Sequence, residues 1–290
     1  MEKIKGTGVA LITPFNEDFS IDYTSLEKLL NHQIDGGIDF LVVMGTTGES
    51  TTLSSQEKKE VVTFCKKINN GRLPIVLGIG GNNTFALVEE IKSTNFEGID
   101  AILSVSPCYN KPTQDGIYLH YKMIAEACPL PIILYNVPGR TASNISAETT
   151  LRLANDFEKI VAIKEASGNL AQIEKIIQQR PKDFLVLSGD DDLTSKIIEM
   201  GGDGVIAVIG QSHSKEFSEM VNTGLAGDFA KANQLHEKLN PIYDSLYKDG
   251  NPAGVKATLN ILGICKNVLR PPLVPVCDTT YKKLKRFIEV

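Results

Sequence analysis

The chain has 290 residues, 42% hydrophobic and 22% charged, a balance that excludes a disordered segment or a membrane-embedded chain and suits one large domain with an appendage. Its 35 acidic residues against 30 basic give a net charge of −5, without the clustered Lys/Arg face that nucleic acid requires. Five cysteines (Cys65, Cys108, Cys128, Cys265, Cys277) form no CxxC pair, and the N-terminal stretch has no apolar secretion core, so a cytoplasmic enzyme with free thiols is expected, with no membrane partner.

Short apolar, β-branched runs recur along the chain at 8–12, 39–43, 74–78, 100–105, 131–135, 160–164, 184–188 and 204–208. Each is followed by a stretch long enough for a helix. Continuous apolar character predicts parallel strands buried on both faces, and eight such units within about 210 residues predict a closed (β/α)8 barrel over residues 1–224. Helix starts are expected at Ser25, Ser54 and Ser146, each a hydroxyl ahead of a helical pattern. After residue 224 the alternation stops. FAKANQLHEKLNPIYDSLYK and AGVKATLNILGI read as helices alone, closed by the Pro-rich LRPPLVP, so residues 225–290 are expected to form a small helical module packed directly on the barrel.

The chemistry of such a barrel lies at the carboxyl ends of its strands, where polar residues terminate apolar runs. Lys164 ends IVAIK and, at period two, shares a face with Ile160 and Ala162. Desolvation among apolar walls favours the neutral amine that attacks a carbonyl, although a strand-end lysine can equally snorkel into solvent or pair with the adjacent Glu165. Tyr135 ends the preceding run, PIILY, and is expected beside Lys164 as a phenol able to shuttle a proton or simply as a packed aromatic. YNVPGRT then places Arg140 in a tight loop above the site, where a guanidinium clamps a carboxylate. The second strand runs into Gly45-Thr46-Thr47-Gly48-Glu49-Ser50, a hydroxyl-bearing turn at the opening of the next helix that suits an anion. Helix capping accounts for Ser50, with Glu49 a second candidate, though not for two consecutive threonines.

Taken in order, GTTGES, SPCYNKP, YNVPGRT and IKEASGN, with the early GVALITPF and the late NPAGVKATLNILG, resemble the 4-hydroxy-tetrahydrodipicolinate synthase family, formerly dihydrodipicolinate synthase, of the N-acetylneuraminate lyase superfamily. The resemblance spans essentially the whole chain. It implies a lyase that joins pyruvate to L-aspartate 4-semialdehyde by an aldol-type condensation and cyclisation, in lysine biosynthesis through diaminopimelate. By the same resemblance Lys164 forms the imine, Tyr135 is the general acid/base, and Thr46 and Tyr109 complete a proton relay in which Tyr109 crosses into a neighbouring subunit. Thr47 and Ile206 match pyruvate-contacting positions, Gly189 a position lining the site, and Arg140 a grip on the semialdehyde carboxylate. A homo-oligomer is implied, either a dimer or a tetramer built as a dimer of dimers.

The chain departs from the pattern at Cys108, where a second tyrosine is common. Asn82 is retained, but Ser55, Lys58 and Ala86 stand where lysine-sensitive members carry histidines and a glutamate, so feedback inhibition by lysine is expected to be weak or absent. Two other readings are kept in view: another pyruvate-dependent aldolase of the superfamily acting on a sugar acid, and a non-catalytic sensing barrel. Arg140 and the doubled threonine favour a short aldehyde bearing a carboxylate over a polyol. Gly78-Ile79-Gly80-Gly81 lacks dinucleotide spacing, and the four histidines are scattered, so neither cofactor nor metal is expected. Of Asp190, Asp191 and Asp192, at least one is read as a helix N-capping residue in preference to a cation site.

Overall fold

Strands that are apolar on both faces must be covered on both, and the chain achieves this by closing its sheet. The computed structural model describes residues 2–289. Eight strands, β1 (Gly6–Ala10), β2 (Phe40–Val43), β3 (Ile75–Gly78), β4 (Ala101–Val105), β5 (Ile132–Asn136), β6 (Ile160–Glu165), β7 (Leu185–Ser188) and β8 (Gly204–Ala207), pair in parallel and in sequence order. β8 returns to β1, with Gly8 opposite Ile206, and the barrel is closed. The (β/α)8 barrel predicted from the apolar runs is the fold observed.

The helices are α1 (Tyr23–Asp35), α2 (Ser55–Asn69), α3 (Thr84–Ser93), α4 (Gln114–Ala127), α5 (Pro138–Thr141), α6 (Ala147–Asp156), α7 (Leu170–Gln179), α8 (Thr194–Glu199), α9 (Ser214–Leu225), α10 (Phe229–Tyr247), α11 (Ala253–Ile261) and α12 (Asp278–Ile288). Ser54 and Ser146 cap α2 and α6 as expected, and at α2 Glu57 returns the bond to complete a capping box. Ser25 does not cap α1. Asp22 does, accepting from the Ser25 backbone N–H, because a carboxylate three residues earlier already meets that exposed donor.

Two apolar cores result. One fills the barrel, from Phe40, Val76 and Leu103 to Leu187 and Ile206, and the other lies between the barrel and its helices. β6 does not keep strict alternation between them. Ile132 pairs with Ile160, but Ile133 pairs with Ala162, so Val161 is an extra residue in the strand. Val161 and Ala162 both join the inner core while Ile160 joins the outer one, which corrects the expectation that Lys164 shares a face with Ile160.

Beyond α9, whose last residue lies one past the expected boundary at 224, α10 packs on α8 and α9, and α11 and α12 pack on α10. α12 follows the Pro-rich segment that was expected to close the chain. Among the described residues, no helix is long and apolar enough to cross a membrane.

Candidate active site

Lys164 and Tyr135 are directly opposite one another at the carboxyl ends of β6 and β5. Both side chains enter the barrel mouth, 5% and 6% exposed, with the Lys164 amine 4.5 Å from the centroid of the Tyr135 ring. That amine makes no hydrogen bond or ion pair with the described residues. Glu165 is not its partner, because the next residue on a strand faces the other way. On the outer face the Glu165 carboxylate accepts from Asn136 Nδ2 at 2.9 Å, Gln172 Nε2 at 2.8 Å and the Ser167 N–H at 3.0 Å, while burial pushes its pKa up. Asn136 pairs with Glu165 as Tyr135 pairs with Lys164, so one buried polar cross-link sits behind the two mouth residues.

The floor and walls follow from neighbouring strands. Ile206 is fully buried in the inner core with Tyr135 and Leu187. Gly189 lies against the end of β6, where a Cβ would stand 2.5 Å from Ala166 Cβ and 3.0 Å from the Glu165 carbonyl, so no larger residue fits without displacing that strand.

The β2 loop differs from expectation. Thr46–Gly48 and Ser50–Thr52 form two short 3-10 turns joined by Glu49 in the left-handed region, and α2 starts only at Ser55. The turn expected to suit an anion is therefore separate from the α2 N-terminus. Thr46 is exposed at the mouth, and Thr47 is 2% exposed, its hydroxyl oxygen accepting from Asn251 Nδ2 at 2.9 Å. Arg140 sits in α5, not in an open loop, since Pro138 opens that turn with its φ already helical. Its guanidinium donates to the Asn251 carbonyl at 3.3 Å. Tyr109 is tied to α5 through its backbone, its N–H donating to the Thr141 carbonyl at 3.3 Å. It occupies the left-handed region at φ 72°, and its side chain is 88% exposed without a hydrogen-bond partner among the described residues.

Several contributors were not foreseen. Asp190 is largely buried, and desolvation, then Asp192, lifts its pKa to about 6 against the opposing field of Lys164. None of the three aspartates caps a helix with its side chain. Asp191 is instead a buried acceptor for the Val208 and Ile209 N–H groups, at 3.0 and 2.7 Å, and for the Tyr247 hydroxyl at 2.5 Å, because strand-end amides and α10 leave it no route to solvent. Glu49, read as a possible capping residue, forms a fully buried ion pair with Lys256 at 2.5 Å, and Lys256 also lies 4.1 Å from the Phe15 ring centroid. Asn251 and Lys256 both fall in NPAGVKATLNILG, a stretch already singled out, so the signal was present without its role.

A parallel barrel whose mouth holds a lysine amine over a phenol, beside a hydroxyl loop and a guanidinium, defines a lyase of the class I aldolase type. A model of the dihydrodipicolinate synthetase family matches residues 3–290, and the chain belongs to that family. It is 54% identical to a 4-hydroxy-tetrahydrodipicolinate synthase of Flavobacterium psychrophilum over 99% of this chain and 98% of the relative. A monomeric dihydrodipicolinate synthase variant superposes with a TM-score of 0.96 at 38% identity, covering 99% of this chain and 97% of that one. A chloride-inhibited dihydrodipicolinate synthase of Acinetobacter baumannii complexed with pyruvate superposes with a TM-score of 0.95 at 38% identity, covering 99% and 98%.

Proposed function

We propose that the chain condenses pyruvate with L-aspartate 4-semialdehyde and cyclises the adduct, the reaction for which its 54%-identical relative is named. The observation that carries this reading is the in-register Tyr135–Lys164 pair, amine over phenol, at the mouth of the barrel. The Lys164 amine attacks the pyruvate ketone and water leaves, giving an imine. Tyr135, with Thr46 and Tyr109 as its relay, takes a proton from the pyruvate methyl group, and the imine accepts the electron pair as an enamine. The enamine carbon bonds to the aldehyde carbon, whose oxygen gains a proton. The semialdehyde amine then attacks the imine carbon, closes the ring and releases Lys164. Thr47 and Ile206 hold pyruvate, Gly189 lines the site, and Arg140 holds the second carboxylate.

Because the Tyr109 side chain is exposed and has no hydrogen-bond partner among the described residues, we place it in the site of a second copy, in a dimer or a dimer of dimers. Five cysteines without a disulfide suit a reducing cytoplasm.

Borohydride reduction in the presence of pyruvate, followed by peptide mapping, tests the reading. The expected result is one reduced pyruvate adduct on the peptide containing Lys164, absent in Lys164→Ala, together with turnover of aspartate semialdehyde in a coupled assay. An unlabelled Lys164 peptide overturns it. Cleavage of sugar acids faster than turnover of the semialdehyde would reassign the substrate.

A further inference from the structure

Asn251 lies between α10 and α11, outside the barrel, yet it touches both groups to which carboxylate binding has just been assigned. Its side-chain amide donates to Thr47 Oγ1 at 2.9 Å, across 204 positions of sequence, and its backbone carbonyl accepts from Arg140 at 3.3 Å. The segment carrying it is firmly held. On one side Tyr247 bonds to Asp191, and on the other Lys256 pairs with Glu49 in the same β2 loop as Thr47. Gly254 packs so closely on the end of α10 that a Cβ would stand 1.8 Å from the Leu246 carbonyl.

A threonine hydroxyl carries one proton and two lone pairs. When an amide N–H occupies a lone pair, the hydroxyl cannot spend its proton on that neighbour. Thr47 O–H has no acceptor of its own among the described residues. We propose that Asn251 is a positioning residue for pyruvate: its amide turns the Thr47 hydroxyl proton toward the pyruvate carboxylate, and its backbone carbonyl separately anchors Arg140 for the second substrate.

This inference rests on the assignment of Thr47 to pyruvate and of Arg140 to the semialdehyde, and its division between side chain and backbone makes it testable. Side-chain variants remove the hydrogen bond to Thr47 and leave the carbonyl that holds Arg140. In Asn251→Ala the pyruvate concentration that half-saturates both turnover and borohydride trapping should rise about tenfold, the loss expected for one hydrogen bond that orients a donor to an anion. KM for the semialdehyde should stay within about twofold, since its anchor is unchanged. In the near-isosteric Asn251→Asp the carboxylate captures the Thr47 proton and repels the substrate anion, so the pyruvate shift should exceed that in Asn251→Ala, by about tenfold again. Asn251→Ala should cost little in a Thr47→Val background, because without the hydroxyl the amide has nothing to orient.

Adducts formed at wild-type pyruvate concentrations in both variants would overturn the inference while leaving the Lys164 reading intact. Equal shifts in both KM values, accompanied by a fall in Tm, would also overturn it, marking Asn251 as mere packing. A wild-type chain that forms no adduct would overturn the reading and this inference with it.

Discussion

Asp190 shows how burial at a strand end ties the stability of the fold to pH. It stands two residues past the end of β7, next to Gly189, and burial, then Asp192, lifts its pKa from 3.8 to about 6. A group whose folded pKa is raised binds its proton more tightly in the native state than in the unfolded chain. Its contribution is favourable below the unfolded value near 4 and is lost as pH rises through about 6. A shift of roughly two units corresponds to about 3 kcal/mol between those limits, as an order of magnitude. Asp190→Asn should therefore unfold like wild type at pH 4 and at higher denaturant than wild type at pH 8. Denaturant titrations at the two values check this; a variant less stable at pH 8 than at pH 4, relative to wild type, contradicts it. Asp190 was visible in the sequence only as part of an acidic triplet, because its perturbation comes chiefly from burial, which no local pattern encodes. Lys164 and Tyr135 were legible for the opposite reason: each ends an apolar run, and strand pairing alone brings such residues together.

At the scale of elements, strand identity was legible because every run was continuously apolar, and the observed strands fall within two residues of expectation. β1 was placed late, since Leu11 and Ile12 remain buried after they leave the strand, Ile12 N–H turning to Gln211 Oε1 at 2.8 Å. The extra residue in β6 was not legible, because Ile160, Val161 and Ala162 are all apolar and suit either core. Least legible was the tie between the β2 loop and α11. Lys256 is fully buried with Glu49, accepts the ring face of Phe15 and donates to the Val268 carbonyl at 2.8 Å. Burial lowers its pKa, opposed by the Glu49 charge. Removing one partner of such a pair strands the other charge, so Lys256→Met should cost about 3–5 kcal/mol in denaturant unfolding. Lys256→Met with Glu49→Gln should recover a substantial part of that loss, giving a coupling of about 2 kcal/mol or more in a double-mutant cycle. Additive effects would mean that the two residues stabilise the fold separately. The same tie joins the helices after α9 to the loop that carries Thr46 and Thr47.

At the scale of the whole molecule, a complete site requires more than one chain if Tyr109 is part of the relay. Its side chain is 88% exposed on a left-handed backbone, and Phe85, at 74% exposed, is another large apolar side chain left open to solvent. Residue types alone do not say which copy supplies each member of the relay; that Tyr109 serves a neighbouring copy is what the family resemblance implies. Complementation turns this into a measurement. Lys164→Ala lacks the imine former and Tyr109→Phe lacks the relay hydroxyl, and each homo-oligomer should be nearly inactive. When the two are unfolded together and refolded, mixed dimers form in which the intact Lys164 of the Tyr109→Phe chain meets the intact Tyr109 of the other. One of the two sites in every mixed dimer is then complete, and activity should return to a substantial fraction of wild type, in proportion to the mixed population. Recovery must also track pyruvate adduct formation on the chain that retains Lys164. If the refolded mixture stays as inactive as its components while mixed dimers are present, Tyr109 serves no neighbouring site, and the relay must be completed within one chain.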